Sequence, residues 1–206
     1  MDLAKLIKNA KLLIFDFDGT IADTSLIHEK AFKKVFESFF ININYKDISG
    51  KSTKEAINYL IKINDLEIEA ENITKLIKNK QSFVREEIIS STDFKTLPYV
   101  REFIENVHGN YQLAIASSGS RKTINLALEK LNLKKYFNLI LCSEDVEKSK
   151  PSPDIFLKAI HLTNYHKEDS LIFEDSQSGL KACIAAKIPF IDINIYPFKK
   201  TIKYLN

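Results

Sequence analysis

The apolar run in KLLIF (residues 11 to 15) ends in Asp16 and Asp18, and Gly19 follows directly. Other apolar runs also stop on polar residues: QLAIA on Ser117 and Ser118, and SLIF on Glu174 and Asp175. Lys150 follows a further run, NLILCS, within KSKPSPD. Carboxylates crowded together repel, so a site holding three or four of them needs a proton or a cation at neutral pH. Hard oxygen ligands suit Mg²⁺, which takes one or two carboxylates, keeps several waters and accepts phosphate oxygens. A hydroxyl and a fixed ammonium are the complementary donors for the outer oxygens of a phosphoryl group. An aspartate beside such a cation and Lys150 stays ionised and can attack phosphorus, while a second acid manages protons. Gly19 allows a sharp turn that leaves backbone N–H groups facing an anion.

These residues meet only if the elements before them lie side by side. Residues 11 to 16, 112 to 117, 138 to 143 and 170 to 175 are short continuous apolar runs of the kind buried on both faces of a parallel sheet, with a weaker fifth at 188 to 193. Helical patterns at 98 to 108, 120 to 132, 153 to 163 and 177 to 187 alternate with them. The expected fold is α/β: a Rossmann-like parallel sheet core with helices on both faces. The strand ends then share one edge, where ligands bind in open sheets of this class.

Residues 25 to 95 break the alternation. Phe32, Val35, Phe36 and Phe39 recur at helical spacing, as do Ala56, Ile57, Leu60 and Ile61, and then Ile73, Leu76, Ile77, Phe83, Val84 and Ile88. This all-helical block enters after the first strand and packs over one end of the sheet as a lid. The expected division is a core of residues 1–22 and 96–206 with a helical cap of residues 23–95.

Composition sets the remaining bounds. The chain has 206 residues, 45% hydrophobic and 28% charged, with 30 basic and 27 acidic side chains and a formal charge of +3. That balance excludes a nucleic-acid footprint, and no apolar run approaches a membrane span, so neither partner is expected. Cys142 and Cys183 match no metal-ligand spacing and read as reduced, buried thiols, which with the absence of an apolar leader makes the cytoplasm the expected location. A monomer or homodimer is expected.

The motifs DFDGT, IASS, KPSPD and FEDSQSG, in this order and at these gaps, resemble those of the haloacid dehalogenase superfamily. The resemblance is to the subfamily with a helical cap after the first motif, in the phosphoglycolate phosphatase and β-phosphoglucomutase-like branch, and it covers essentially the whole chain. It implies Asp16 as nucleophile, forming an aspartyl-phosphate, and Asp18 as general acid and base. It implies Asp16, the backbone carbonyl of Asp18 and Asp175 as Mg²⁺ ligands, with Glu174 binding directly or through water. Ser117 and Lys150 match the phosphate-binding positions, and Ser118 would add its backbone N–H. Ser149 stands where many relatives have glycine, a departure read as minor because a loop proline follows.

His28 and Lys80 fall on apolar helix stripes, and both match cap positions that contact substrate or the site in the β-phosphoglucomutase-like branch. Both are expected to face the cleft. Asp23 and Thr24 read as the structural opening of the first cap helix. The implied activity is a Mg²⁺-dependent phosphatase acting on a small phosphorylated metabolite. The alternative is a sugar phosphomutase, which carries a cap arginine where this chain has Thr53, although Lys51 or Lys54 offers a substitute cation.

Overall fold

The computed structural model describes residues 3–205. Five parallel strands, β1 (Leu12–Phe15), β2 (Gln112–Ala116), β3 (Leu139–Leu141), β4 (Ser170–Glu174) and β5 (Phe190–Asp192), form one sheet in the order β3-β2-β1-β4-β5. The strand order reverses at β1, which pairs with β2 on one side and β4 on the other. The crevice beyond the carboxyl ends of the strands at such a reversal is the preferred ligand position in this fold class.

Alternation along the strands divides the core. Leu13, Phe15, Leu113, Ile115, Leu171 and Phe173 join the apolar faces of α1 (Leu3–Asn9), α5 (Val100–Val107) and α6 (Arg121–Lys130). Leu12, Ile14, Ala114, Ala116 and Ile172 pack instead with α7 (Asp154–Thr163) and α8 (Gln177–Ala186). Both faces are thereby covered, which is why the strands read as unbroken apolar runs. Helix α1 was not among the elements anticipated, although Leu3 and Ile7 are buried at helical spacing.

Between β1 and α5 lie three helices, α2 (Ser25–Val35), α3 (Thr53–Ile63) and α4 (Ala70–Ser90), the first two joined through short 3-10 turns. Phe32, Phe36, Ile43, Ile48, Ala56, Ile57 and Leu60 give them a core of their own. Ala31, Val84 and Ile88 belong to the main core instead, so this block is anchored at one side. Its two connections run together: Ala22 bridges Thr96 antiparallel, and the Leu97 N–H donates to the Ile21 carbonyl at 2.9 Å. At the end of α4, the Lys130 ammonium of α6 donates to the carbonyls of Ile88 (2.5 Å), Ile89 (2.8 Å) and Ser91 (2.6 Å). Those are carbonyls at and just beyond the last turn, where a helix lacks partners of its own, and a cation there also complements the helix dipole. Among the described residues no helix is long and apolar enough to cross a membrane.

Candidate active site

The acids that end β1 and β4 lie in adjacent strands, so folding brings together residues 158 positions apart. Carboxylate oxygens of Asp16, Glu174 and Asp175 lie within 4.8 Å of one another. The Lys150 ammonium reaches into this group from the loop before α7 and donates to Asp16 Oδ1 at 2.5 Å and Glu174 Oε1 at 2.9 Å. Lys150 and Glu174 are fully buried, and Asp16 is 5% exposed.

Burial governs the protonation of this cluster. It pushes the Asp16 carboxyl well above the usual carboxylate range, helped by repulsion from Glu174, Asp175 and Asp18 and opposed by Lys150. Burial and the Glu174 charge push Asp175 up to about 7. For Lys150, burial alone would lower the ammonium, but Asp16 and Glu174 hold it above the ordinary lysine range. Two acids driven toward their neutral forms by burial and by repulsion from their neighbours, with all-oxygen donors, are the arrangement that a bound divalent cation relieves, so the residues fit Mg²⁺.

Glu174 has little capacity left for an ion. Its Oε2 accepts the backbone N–H groups of Asp175 (2.5 Å) and Ser176 (2.8 Å), while Oε1 takes Lys150. A Cβ on Gly179 would lie 1.6 Å from Oε1, so the first turn of α8 reaches this carboxylate only with glycine. Gly19 turns the β1 loop at φ +91°, and a Cβ there would lie 2.2 Å from Asp175 Oδ2. Asp175 itself accepts from the Thr20 hydroxyl at 2.9 Å.

Asp18 turns its carboxylate toward the helical block. Its Oδ1 accepts from the Thr24 hydroxyl at 2.6 Å and meets His28 Nε2 at 3.2 Å. Behind it, Lys80 Nζ lies 2.6 Å from His28 Nδ1 and 4.4 Å from the centroid of the Phe32 ring. A charged lysine only donates, so Nδ1 accepts from it when the imidazole is neutral, and in either charge state of the ring Nε2 carries a proton aimed at Asp18. Burial and the Lys80 charge lower the His28 pKa, and burial lowers Lys80 to about 7. Burial acts to raise Asp18, but the His28 charge and hydrogen bond together with Thr24 outweigh it and bring the carboxyl down to about 2.

Ser117 and Ser118 close the other side. The Ser117 hydroxyl oxygen accepts the Gly119 N–H at 2.9 Å. The Ser118 hydroxyl donates to the Gly50 carbonyl at 2.8 Å, a contact from the core to the loop before α3. Between the two layers Asp16, Asp18, His28, Tyr45, Lys80 and Ser118 line a cavity of about 30 Å³.

Haloacid dehalogenase-like hydrolases, as a family, match residues 13–193, which include all of the sheet but Leu12, and every site residue described above. The chain is a haloacid dehalogenase-like hydrolase. It is 30% identical over 180 residues to a phosphorylated carbohydrates phosphatase of Thermotoga maritima, covering 85% of this chain and 81% of that protein. It is 26% identical over 186 residues to a fructose-1-phosphate phosphatase of Escherichia coli, covering 89% and 96%. The fold is shared with a crystal structure of a β-phosphoglucomutase from Clostridium difficile: TM-score 0.83 and 22% identity, over 96% of this chain and 97% of that one.

Within this hydrolase, Asp16, Asp18, Ser117, Ser118, Lys150, Glu174 and Asp175 lie around one crevice, and His28 and Lys80 reach it from the helical block. Three contributors were not read from the sequence. Thr24, taken as a helix opening, holds Asp18. Tyr45 lines the cavity and stacks on His28 at 6.4 Å between centroids; burial and the nearby carboxylates hold its hydroxyl protonated. Ser149 is no passive replacement for glycine: its N–H and its hydroxyl both donate to the Glu55 carboxylate of α3, the former at 3.3 Å. Cys142 and Cys183 are buried free thiols, and burial pushes Cys142 up to about 12.

Proposed function

We propose that the protein is a Mg²⁺-dependent phosphatase of small phosphomonoesters, with phosphorylated sugars as the first class to test. The observation that carries this reading is the pairing of two separately managed acids: Asp16 held by Lys150 beside Asp175, and Asp18 held by Thr24 and His28. The named activities of the Thermotoga maritima and Escherichia coli relatives support it.

In this reading an Asp16 carboxylate oxygen attacks phosphorus and the bond from phosphorus to the ester oxygen breaks; Asp18, ionised in the substrate-free site, takes up a proton with the incoming phosphomonoester and gives it to the departing alcohol. Asp18 then takes a proton from water, whose oxygen attacks the aspartyl-phosphate and returns Asp16 and free phosphate. The His28 Nε2 proton and the Thr24 hydroxyl keep Asp18 oriented between the two steps. Asp16 and Asp175, with the Asp18 carbonyl, would hold Mg²⁺, and Glu174 would steady Lys150 and the loop behind them. When bound, the ion neutralises charge on the transferring phosphoryl group. Lys150 and Ser117 bind the remaining phosphoryl oxygens.

Residues 23–95 act as the cap. A cavity of about 30 Å³ holds little more than one water, so a sugar phosphate enters only when the helices lift from the sheet. The phosphomutase reading keeps one favourable observation, that Lys51 lines the cavity near Thr53. The deciding experiment is phosphate release across a panel of phosphomonoesters, with Mg²⁺ and after chelation. Release that disappears with EDTA and returns with Mg²⁺ supports the phosphatase. Exchange between two sugar phosphates without release supports the mutase, and neither activity on any member overturns the proposal.

A further inference from the structure

The segment Ser52-Thr53-Lys54-Glu55 has the form of a capping box, in which the serine accepts the N–H three residues on and the glutamate reaches back to the serine N–H. Half of it is made: the Ser52 hydroxyl accepts the Glu55 N–H at 3.3 Å. The other half is diverted. The Glu55 carboxylate accepts the N–H and hydroxyl of Ser149, 94 residues away, in the loop that presents Lys150. Five residues before Glu55, the Gly50 carbonyl accepts the Ser118 hydroxyl, and a Cβ at Gly50 would lie 2.3 Å from Ser176 Oγ. One short stretch of the helical block is therefore seated on three loops of the core at once.

We propose that Glu55 is a positioning residue with two alternative partners: Ser149 when the cap is closed and its own helix N-terminus when the cap is open. Closure moves one carboxylate from the Ser52 N–H to the residue next to Lys150, so the loop carrying the buried ammonium is fastened at the moment the cleft is shut. The carboxylate keeps a donor in either state, so neither state leaves a charge without a partner, and the exchange is close to balanced. Because Ser149 offers two donors against the single N–H of the capping box, the balance favours the closed form. Removing the hydroxyl tilts it back. A hydrogen bond to a charged group carries more weight than a neutral one, and one bond replaces another here, so the expected shift is about three- to tenfold toward the open form.

The inference rests on the phosphatase reading for its consequence in turnover, but its first readout does not. Amide hydrogen exchange on the substrate-free, full-length protein should rise about three- to tenfold across residues 49–55 in Ser149→Ala and remain at the wild-type rate in Ser149→Thr, with the strand amides unchanged. Glu55→Gln should raise it similarly, and the double variant should be no worse than the single ones, because both remove the same contact. In phosphate release, Ser149→Ala should lower kcat/KM with an unchanged melting temperature, and Ser149→Thr should restore it. Unchanged exchange in Ser149→Ala, or effects of Glu55→Gln and Ser149→Ala that add in full, overturns the proposal. A protein that hydrolyses nothing but shows the exchange pattern removes the phosphatase reading and leaves the two-partner carboxylate in place. Normal hydrolysis with no change in exchange does the reverse.

Discussion

The strand-end edge of the sheet and the helical block facing it hold their polar groups in different ways. At the edge, Asp16, Lys150 and Glu174 are buried and bonded to one another, and glycines at 19 and 179 leave no room for any other arrangement. In the helical block, His28 and Lys80 project from helices that otherwise serve apolar packing, and they touch the edge through a single acid, Asp18. The first region is over-determined and the second rests on a chain of single contacts. In the phosphatase reading proposed above, chemistry common to many substrates belongs to the former and the choice among substrates to the latter.

The strongest way to break that contrast is to find a core change that alters substrate preference or a cap change that silences everything. Asp16→Asn should abolish phosphate release from every member of a panel, with a loss of about 10⁴-fold or more in kcat/KM, the scale seen when an essential nucleophile is removed. Gly179→Ala should follow: its Cβ displaces Glu174, and with it Lys150. Denaturant melts should record a loss of about 1–3 kcal/mol, and kcat/KM should fall about 100-fold for all substrates alike. His28→Ala should cost less, about tenfold in kcat/KM, and unequally, so that the ranking of the panel changes. A uniform loss in that variant would erase the distinction between the two regions.

A further effect concerns the pH dependence of stability and leaves substrate ranking aside. Lys80 titrates near 7 in the folded chain because it is buried, against an ordinary value of 10.5. Between those values the unfolded chain binds more protons, so the wild type gains stability as pH rises from about 7 toward 10.5. Lys80→Met lacks this gain. Thermal melts should therefore show the variant's stability relative to the wild type falling steadily across that window, and a pH-independent difference would mean that Lys80 is not depressed.

The same contrast explains what the sequence made legible. Strands of a parallel sheet are apolar throughout, so the places where β1, β2 and β4 stop are marked by the first polar residues, and Asp16, Ser117 and Glu174 could be read directly. His28 and Lys80 were visible because a polar, titratable side chain on an apolar helix stripe is anomalous. Tyr45 carried no such mark: it sits in a 3-10 turn, and only the folding of that turn against His28 brings it to the cavity. Thr24 had an adequate local explanation at a helix start, and Glu55 in the first turn of α3 carried no mark of its own. Thr24 instead holds Asp18, six residues back across the turn at Gly19, and Glu55 holds Ser149, 94 residues on, where no spacing rule reaches.

The three carbonyls gathered by Lys130 have a mechanical consequence. They fix the C-terminal end of a helix of 21 residues, about 30 Å long at the usual rise per residue. A rod clamped at one end amplifies small rotations: ten degrees at the clamp carries the free tip through about 5 Å. In the cap-opening reading proposed above, one amine on α6 would thus set the fulcrum of that movement.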